Sequence, residues 1–241
     1  MYVSTRGSGG AVSASRAIVE GISLDGGLYT PAVLPVLSEE EIKVLQDLTF
    51  PDRAAYVLQK FLTDYESERL RNFAKRAYAS FFHKDVAPVV TLDENTGILE
   101  LFHGPTSAFK DMALQMLPYL LTGAMEIQGI DEKVCILVAT SGDTGKAALE
   151  GFADVENTSV VVFYPKDGVS RMQELQMVTQ KGDNVGVCAV HGNFDDAQTG
   201  VKAILTDAKF ANKLAEKKIR LSSANSINWG RLAPQIVYYI S

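Results

Sequence analysis

Cysteine is scarce in this sequence: Cys135 and Cys188 are the only two in 241 residues. Each sits in an apolar, strand-like run, which suits buried reduced thiols and excludes a disulfide framework. Histidine is nearly as rare, and His83, His103 and His191 lie too far apart for metal-ligand spacing, so no metal site is expected. A basic excess is lacking as well. Lys and Arg number 23 against 29 Asp and Glu, giving a net charge of −6, and no stretch gathers a dense cationic cluster. Nucleic acid and anionic membrane surfaces are thereby excluded as partners, whereas a small anionic ligand can still bind locally. No apolar run reaches the ~18 residues needed to span a bilayer, and the first residues lack a basic-then-apolar leader. A cytoplasmic location is expected.

What is present is ordinary for a globular chain: 46% hydrophobic and 22% charged residues, with no repeat and no low-complexity linker. Residues 1–95 read as mainly helical. A short strand at Tyr2–Ser4 leads to a helix from Ala14 to Glu20 and a turn at Gly26-Gly27. Ser38 caps a helix carrying Ile42, Leu45 and Leu48, Asp52 opens a second, and Ser67 to Phe82 forms a third. After Pro88 the pattern changes. Val89–Leu92 and Ile98–Phe102 read as strands around the Asp93–Gly97 turn, and Met112 to about Gln128 as one buried helix with Pro118 as a kink. Short apolar strands follow at Val134–Ala139, Val160–Tyr164, Asn184–Val190 and Ile219–Ser222, separated by helical stretches. This alternation predicts an α/β fold with a parallel sheet covered on both faces, binding ligands where the strands' carboxyl ends meet helix N-termini.

Three stretches carry chemistry. In Gly104-Pro105-Thr106-Ser107-Ala108-Phe109-Lys110-Asp111, Thr106 or Ser107 can cap a helix whose first turn holds Lys110. The helix dipole disfavours a cation there, so a desolvated Lys110 is biased toward the neutral amine that forms a Schiff base with an aldehyde. The loop Thr140-Ser141-Gly142-Asp143-Thr144-Gly145-Lys146 leaves a strand and opens a helix, which makes its N–H groups and hydroxyls an anion cradle. It is not a Walker A loop, because only two residues separate Gly142 from Gly145 and Ala147 stands where Ser or Thr is required. Ser223 to Arg231 is a polar turn dense enough in amides and hydroxyls to line a cleft. By contrast, Asn193 with Asp195 and Asp196 reads as a capped helix start.

These three stretches, in this order, closely resemble the threonine synthase family of fold-type II pyridoxal-phosphate enzymes. Ser4–Gly7, Asp25–Tyr29 and Phe194–Asp196 look like that family too, so the resemblance extends over essentially the whole chain. It implies that Lys110 is the catalytic Schiff-base lysine and, with Phe109, belongs to the pyridoxal 5'-phosphate site. Thr140, Ser141, Gly142, Asp143, Thr144 and Gly145, with Asn225 and Asn228, are then expected to bind substrate, and Arg6 and Lys146 are the candidates for contact with its phosphate. The implied activity is that of a lyase in threonine biosynthesis. It converts O-phospho-L-homoserine and water to L-threonine and phosphate by γ-elimination and β-addition of water.

The implied architecture is tryptophan synthase β-like: a mainly helical N-terminal segment, residues 1–95, then a small αβ domain, residues 96–241, with the larger C-terminal domain missing. Family members run much longer, and no glycine-rich Gly-Asn-Phe-Gly type run for the cofactor phosphate follows Arg231. Such a chain is expected to be inactive alone, and an oligomer is left open. The alternatives are a non-catalytic ligand- or protein-binding module retaining the fold, or another type II lyase such as a serine/threonine dehydratase.

Overall fold

The computed structural model describes residues 1–240. It begins with strand β1 (Tyr2–Ser4), helix α1 (Ala14–Glu20) and strand β2 (Tyr29–Pro31), the two strands pairing antiparallel. Helices α2 (Glu39–Gln46), α3 (Phe50–Phe61) and α4 (Ser67–Tyr78) follow. Ser38 and Glu41 form a reciprocal capping box on α2. The start of α3 lies earlier than expected: Thr49 is its cap, Pro51 occupies the first turn, and Asp52 adds its charge to the dipole's positive end. Helix α4 stops short of Phe82, whose N–H donates instead to the His103 carbonyl and turns the chain toward the lysine loop.

Strands β3 (Val89–Asp93) and β4 (Thr96–Leu99) form an exposed antiparallel hairpin that straddles the boundary expected between residues 95 and 96. The single helix expected from Met112 is two: α5 (Asp111–Leu114) and α6 (Leu117–Ile127). Pro118 sits at the start of α6, where a missing N–H costs no hydrogen bond, so it opens that helix and does not kink it.

The remainder alternates: β5 (Lys133–Ala139), α7 (Asp143–Phe152), β6 (Thr158–Pro165), α8 (Arg171–Val178), β7 (Val185–Val190), α9 (Phe194–Thr206), α10 (Ala208–Ala215), β8 (Ile219–Ser223) and α11 (Trp229–Tyr238). Every pairing among these strands is parallel, in the order β7-β6-β5-β8. Along β5 the side chains divide by alternation. Val134, Ile136 and Val138 join the main core, which runs from Tyr2 to Tyr238, while Leu137 and Ala139 meet Ala197 and Val201 of α9 on the opposite face. Burial on both faces explains the continuous apolar run of β5. Strand β7 is an edge, so Cys188 is exposed and Cys135 half-buried, unlike the two buried thiols expected.

The N-terminal helices brace this sheet domain from behind. Tyr65 Oη donates to the Leu120 carbonyl at 2.8 Å and Tyr78 Oη to the Met112 carbonyl at 3.0 Å. Both phenols are pushed up in pKa by burial, so they remain neutral donors. The Tyr78 bond fixes α5, and with it the residue immediately before α5, Lys110.

Candidate active site

The sheet order places the site. β6 and β7 lie on one side of β5 and β8 on the other, so the crevice beyond the carboxyl ends of β5 and β8 is a topological switch point, the preferred ligand position in such sheets. A cavity of about 270 Å³ opens there. Lys110 forms one wall and Thr140, Ser141 and Thr144 a second. Asn225, Ser226 and Arg231 form the third, and Phe194, Gln198 and Lys202 of α9 the fourth.

Lys110 is the last residue before α5, and neither Thr106 nor Ser107 caps that helix. Asp111 explains why. Its carboxylate is fully buried and accepts from Thr106 N and Thr106 Oγ1, each at 2.7 Å, which folds the loop back on itself. Burial pushes the Asp111 carboxyl up in pKa while the Thr106 bonds pull against it. Ser107 is held at φ 58°, a left-handed conformation costing about 1–2 kcal/mol. Lys110 emerges with its side chain 18% exposed. Its Nζ donates to Asp143 Oδ2 at 2.8 Å and lies 4.4 Å from the centre of the Phe109 ring, two partners that the reading from the helix dipole did not include. Phe109 itself is among the exposed large apolar side chains.

In the β5–α7 loop, Gly142 precedes α7 at φ 151°, a conformation open to glycine. The Thr140 hydroxyl is spent inside the loop, accepting from Gly142 N at 3.0 Å and Gly145 N at 2.9 Å. It therefore shapes the cradle, leaving Ser141 and Thr144 as the hydroxyl groups facing the cavity. Asp143 also differs from its expected place among the anion binders, because a carboxylate beside Lys110 repels a second anion.

Asn225 bonds both backbone groups of Ala139, its Oδ1 accepting at 3.0 Å and its Nδ2 donating at 2.8 Å, and so ties the β8 turn to the end of β5. Asn228 does not reach the cavity. It is buried, donates to the Ile18 and Ser223 carbonyls, and caps α11 through Gly230 N. The expected phosphate contacts stand elsewhere too. Lys146 Nζ pairs with Glu150 at 2.8 Å and with Gln180, while Arg6 is exposed and donates to the Asp25 carbonyl at 2.9 Å.

Besides Lys110, the cations lining the cavity are Arg231 and Lys202. Arg231 is 3% exposed, donates through Nη1 to the Ala224 carbonyl at 2.8 Å, and leaves Nε without a hydrogen-bond partner among the described residues. Burial lowers its pKa to about 10, against the opposing charge of Asp143, and it stays protonated at neutral pH. Sequence reasoning missed Lys202 and Gln198. Phe194, Gln198, Val201 and Lys202 are spaced i, i+4, i+7, i+8, a one-face helical signal that was available.

With this geometry in place, the likeness to known proteins can be stated. Residues 1–78 match the family model described as threonine synthase N terminus. The threonine synthase of Pseudomonas aeruginosa is 42% identical over 239 residues, covering 99% of this chain and 50% of the relative. Human threonine synthase-like 1 is 42% identical over 237 residues, covering 94% and 32%. Among solved structures, pyridoxal-phosphate-bound threonine synthase from Brucella melitensis aligns with a TM-score of 0.87 at 40% identity, over 99% of this chain and 50% of that one. Threonine synthase from Escherichia coli aligns at 0.85 and 37% identity, over 99% and 53%. The chain spans about half the length, or less, of the relatives it matches.

Proposed function

We propose that this chain is the lysine-bearing portion of a threonine synthase, acting on O-phospho-L-homoserine and water to give L-threonine and phosphate. The observation that carries the reading is the position of Lys110 Nζ. The amine stands at the switch-point crevice, facing hydroxyls, a helix N-terminus and a buried arginine, in a chain 40% identical to a pyridoxal-phosphate-bound enzyme. The donor set fits that cofactor at its aldehyde end, since Lys110 brings a largely buried amine to the cavity and its Asp143 partner is half-exposed and displaceable. Pyridoxal phosphate, when bound, supplies an electrophilic aldehyde and a ring that stabilises negative charge at the substrate's α-carbon.

The chain's own residues then divide the work. Lys110 would hold the cofactor, and its amine is placed to move a proton at the substrate's α-carbon. Asp143 orients that amine. Ser141 and Thr144, with the N–H groups opening α7, bind the substrate carboxylate where the dipole favours an anion. Arg231 receives the departing phosphate through Nε and its remaining N–H groups, in a pocket whose low dielectric strengthens the pairing. Phe194, Val201 and Ile227 supply apolar surface that limits water around the reacting atoms.

The test is steady-state release of phosphate and formation of threonine from O-phospho-L-homoserine by the full-length protein, with L-serine as the rival substrate. Turnover of phosphohomoserine that is lost in Lys110→Ala supports the reading. Preference for serine supports a dehydratase instead.

A further inference from the structure

We propose that Lys202, on the α9 wall, is a specificity-determining residue that binds the substrate's phosphomonoester dianion together with Arg231. The inference rests on the reading of this cavity as the substrate site and adds to it a residue and a charge requirement.

The charge balance of the cavity is the starting point. Lys110, Lys202 and Arg231 line it, yet the one carboxylate paired with any of them is Asp143, on Lys110. Arg231 feels the charge of Asp143 without a direct ion pair, and Lys202 has no acidic partner among the described residues, in a chain whose net charge is −6. Arg231 is buried with Nε unpartnered among the described residues, a donor that is costly to leave unsatisfied, while the exposed Lys202 beside it is free to turn toward a ligand bound there. A carboxylate ligand held by Ser141, Thr144 and the start of α7 would neutralise one of these two cations. A phosphomonoester, dianionic near neutral pH, has the charge and the acceptor oxygens to satisfy both cations at once.

The local bonding singles out Lys202. Its hydrogen bond goes to Gln198 Oε1 at 3.1 Å, a neutral partner one helical turn away, and among the described residues it forms no ion pair. An ammonium has three donors, so two remain for an anion. Lys146 of α7, by contrast, is already paired with Glu150. The backbone under Lys202 is fixed, because Ala197 and Val201 are buried against Leu137 and Ala139 of β5. The lysine therefore reaches the cavity from a rigid wall facing Asn225 and Arg231, where a long flexible side chain can follow a leaving group.

The cofactor carries a phosphate of its own, so the test separates the two sources. Lys202→Gln and Lys202→Arg are made in the full-length holoenzyme, and three quantities are measured: KM and kcat for O-phospho-L-homoserine, competitive inhibition by inorganic phosphate, and cofactor retention on dialysis, read by absorbance. In Lys202→Gln both KM and the phosphate inhibition constant should rise about tenfold, the loss expected for one charge-assisted hydrogen bond. Cofactor retention should be unchanged, inhibition by L-threonine unchanged, and Lys202→Arg should recover most of the affinity. Unchanged KM and phosphate inhibition overturn the proposal, as does a loss confined to cofactor retention, which would assign Lys202 to the cofactor's phosphate.

A separate arm covers failure of the underlying reading. Trp229, the single tryptophan, is two residues from Arg231, so inorganic phosphate can be titrated into cofactor-free protein by fluorescence. Weaker phosphate binding in Lys202→Gln supports the proposal even if phosphohomoserine is not the substrate. Identical titrations of parent and variant overturn it.

Discussion

Lys110 Nζ lies 2.8 Å from Asp143 Oδ2, closing an ion pair between residues 33 apart in sequence. The pair joins the loop before α5 to the first turn of α7, so Lys110 and the β5–α7 loop are held in one frame. Neither partner is fully buried, which makes the contact a positioning device more than a source of stability. Replacing Lys110 by Ala is expected to change folding stability by no more than about 1 kcal/mol while abolishing attachment of pyridoxal phosphate. Borohydride reduction followed by peptide mass mapping checks this. An undiminished adduct in the variant, on Lys146 or Lys202, would refute the assignment.

The β5–α7 loop should show a division between binding and structure. Ser141→Ala with Thr144→Ala removes two hydroxyls that face the cavity, and each lost charge-assisted bond should cost about 1.5–3 kcal/mol in substrate affinity with the fold intact. Thr140→Val should do the reverse. Its buried hydroxyl accepts from Gly142 N and Gly145 N, and removing it orphans two donors, so stability should fall by about 1–3 kcal/mol or more. Urea midpoints and substrate titrations of the two variants separate the roles. Equal effects on both measurements would contradict the division.

A pH dependence follows from Asp25, at the turn beside Arg6. Its carboxylate accepts from the Ser8 hydroxyl, from Ser4 Oγ at 2.7 Å and from Gly27 N at 2.8 Å. These bonds, the one from Ser8 foremost, hold the carboxyl well below the usual range. The folded chain therefore binds this proton less tightly than the unfolded chain. Its stabilisation is complete above the unfolded pKa of about 3.9 and is lost as pH falls below that value. Asp25→Asn should lower the urea midpoint at pH 7 and converge with the parent on acidification. A gap that widens toward acid pH would show that the bonds do not act through the carboxylate.

The parts of the fold legible in the sequence were those set by local chemistry. β5 to β8 announced themselves as short apolar runs, and the Ser38 and Asn193 caps as side chains placed three residues before a matching acid. The sheet order, which fixes the site, is non-local and could only be bounded by rule. The idea that a cation in an early helical turn marks function selected Lys110, and the family resemblance put forward Lys146. Lys146, however, found Glu150 one turn on, a pair visible in the sequence. The same idea applied to Arg231, in the first turn of α11, would have found the buried arginine of the cavity. The loop bond of the buried Asp111 carboxylate was not legible in the sequence. Its partner, Thr106, lies five residues back and receives it through a loop bent by Ser107 at positive φ, which no helix-cap pattern describes.

The last prediction concerns the joint beneath the lysine. Gly151, near the end of α7, lies directly against the backbone of Leu114 at the end of α5, and a Cβ at that position would run into the Leu114 carbonyl oxygen. A backbone atom cannot rotate aside as a side-chain tip can, so Gly151→Ala must push the two helices apart. Against this stands the gain of about 1 kcal/mol that Ala ordinarily brings over Gly inside a helix. Overpacking costs of about 1–3 kcal/mol outweigh that gain, so a net loss of stability is expected. Because α5 follows Lys110 and α7 begins with Asp143, separation of the helices should also lengthen the Lys110–Asp143 pair. The variant should then capture pyridoxal phosphate more slowly than the parent under conditions where both are fully folded. A surface control, Gly129→Ala, is expected to lose stability through its positive φ without affecting capture, since nothing lies near its Cβ position. Gly151→Ala at parental stability, or with unchanged capture despite a stability loss, would show that the packing of α7 on α5 does not set the position of the lysine.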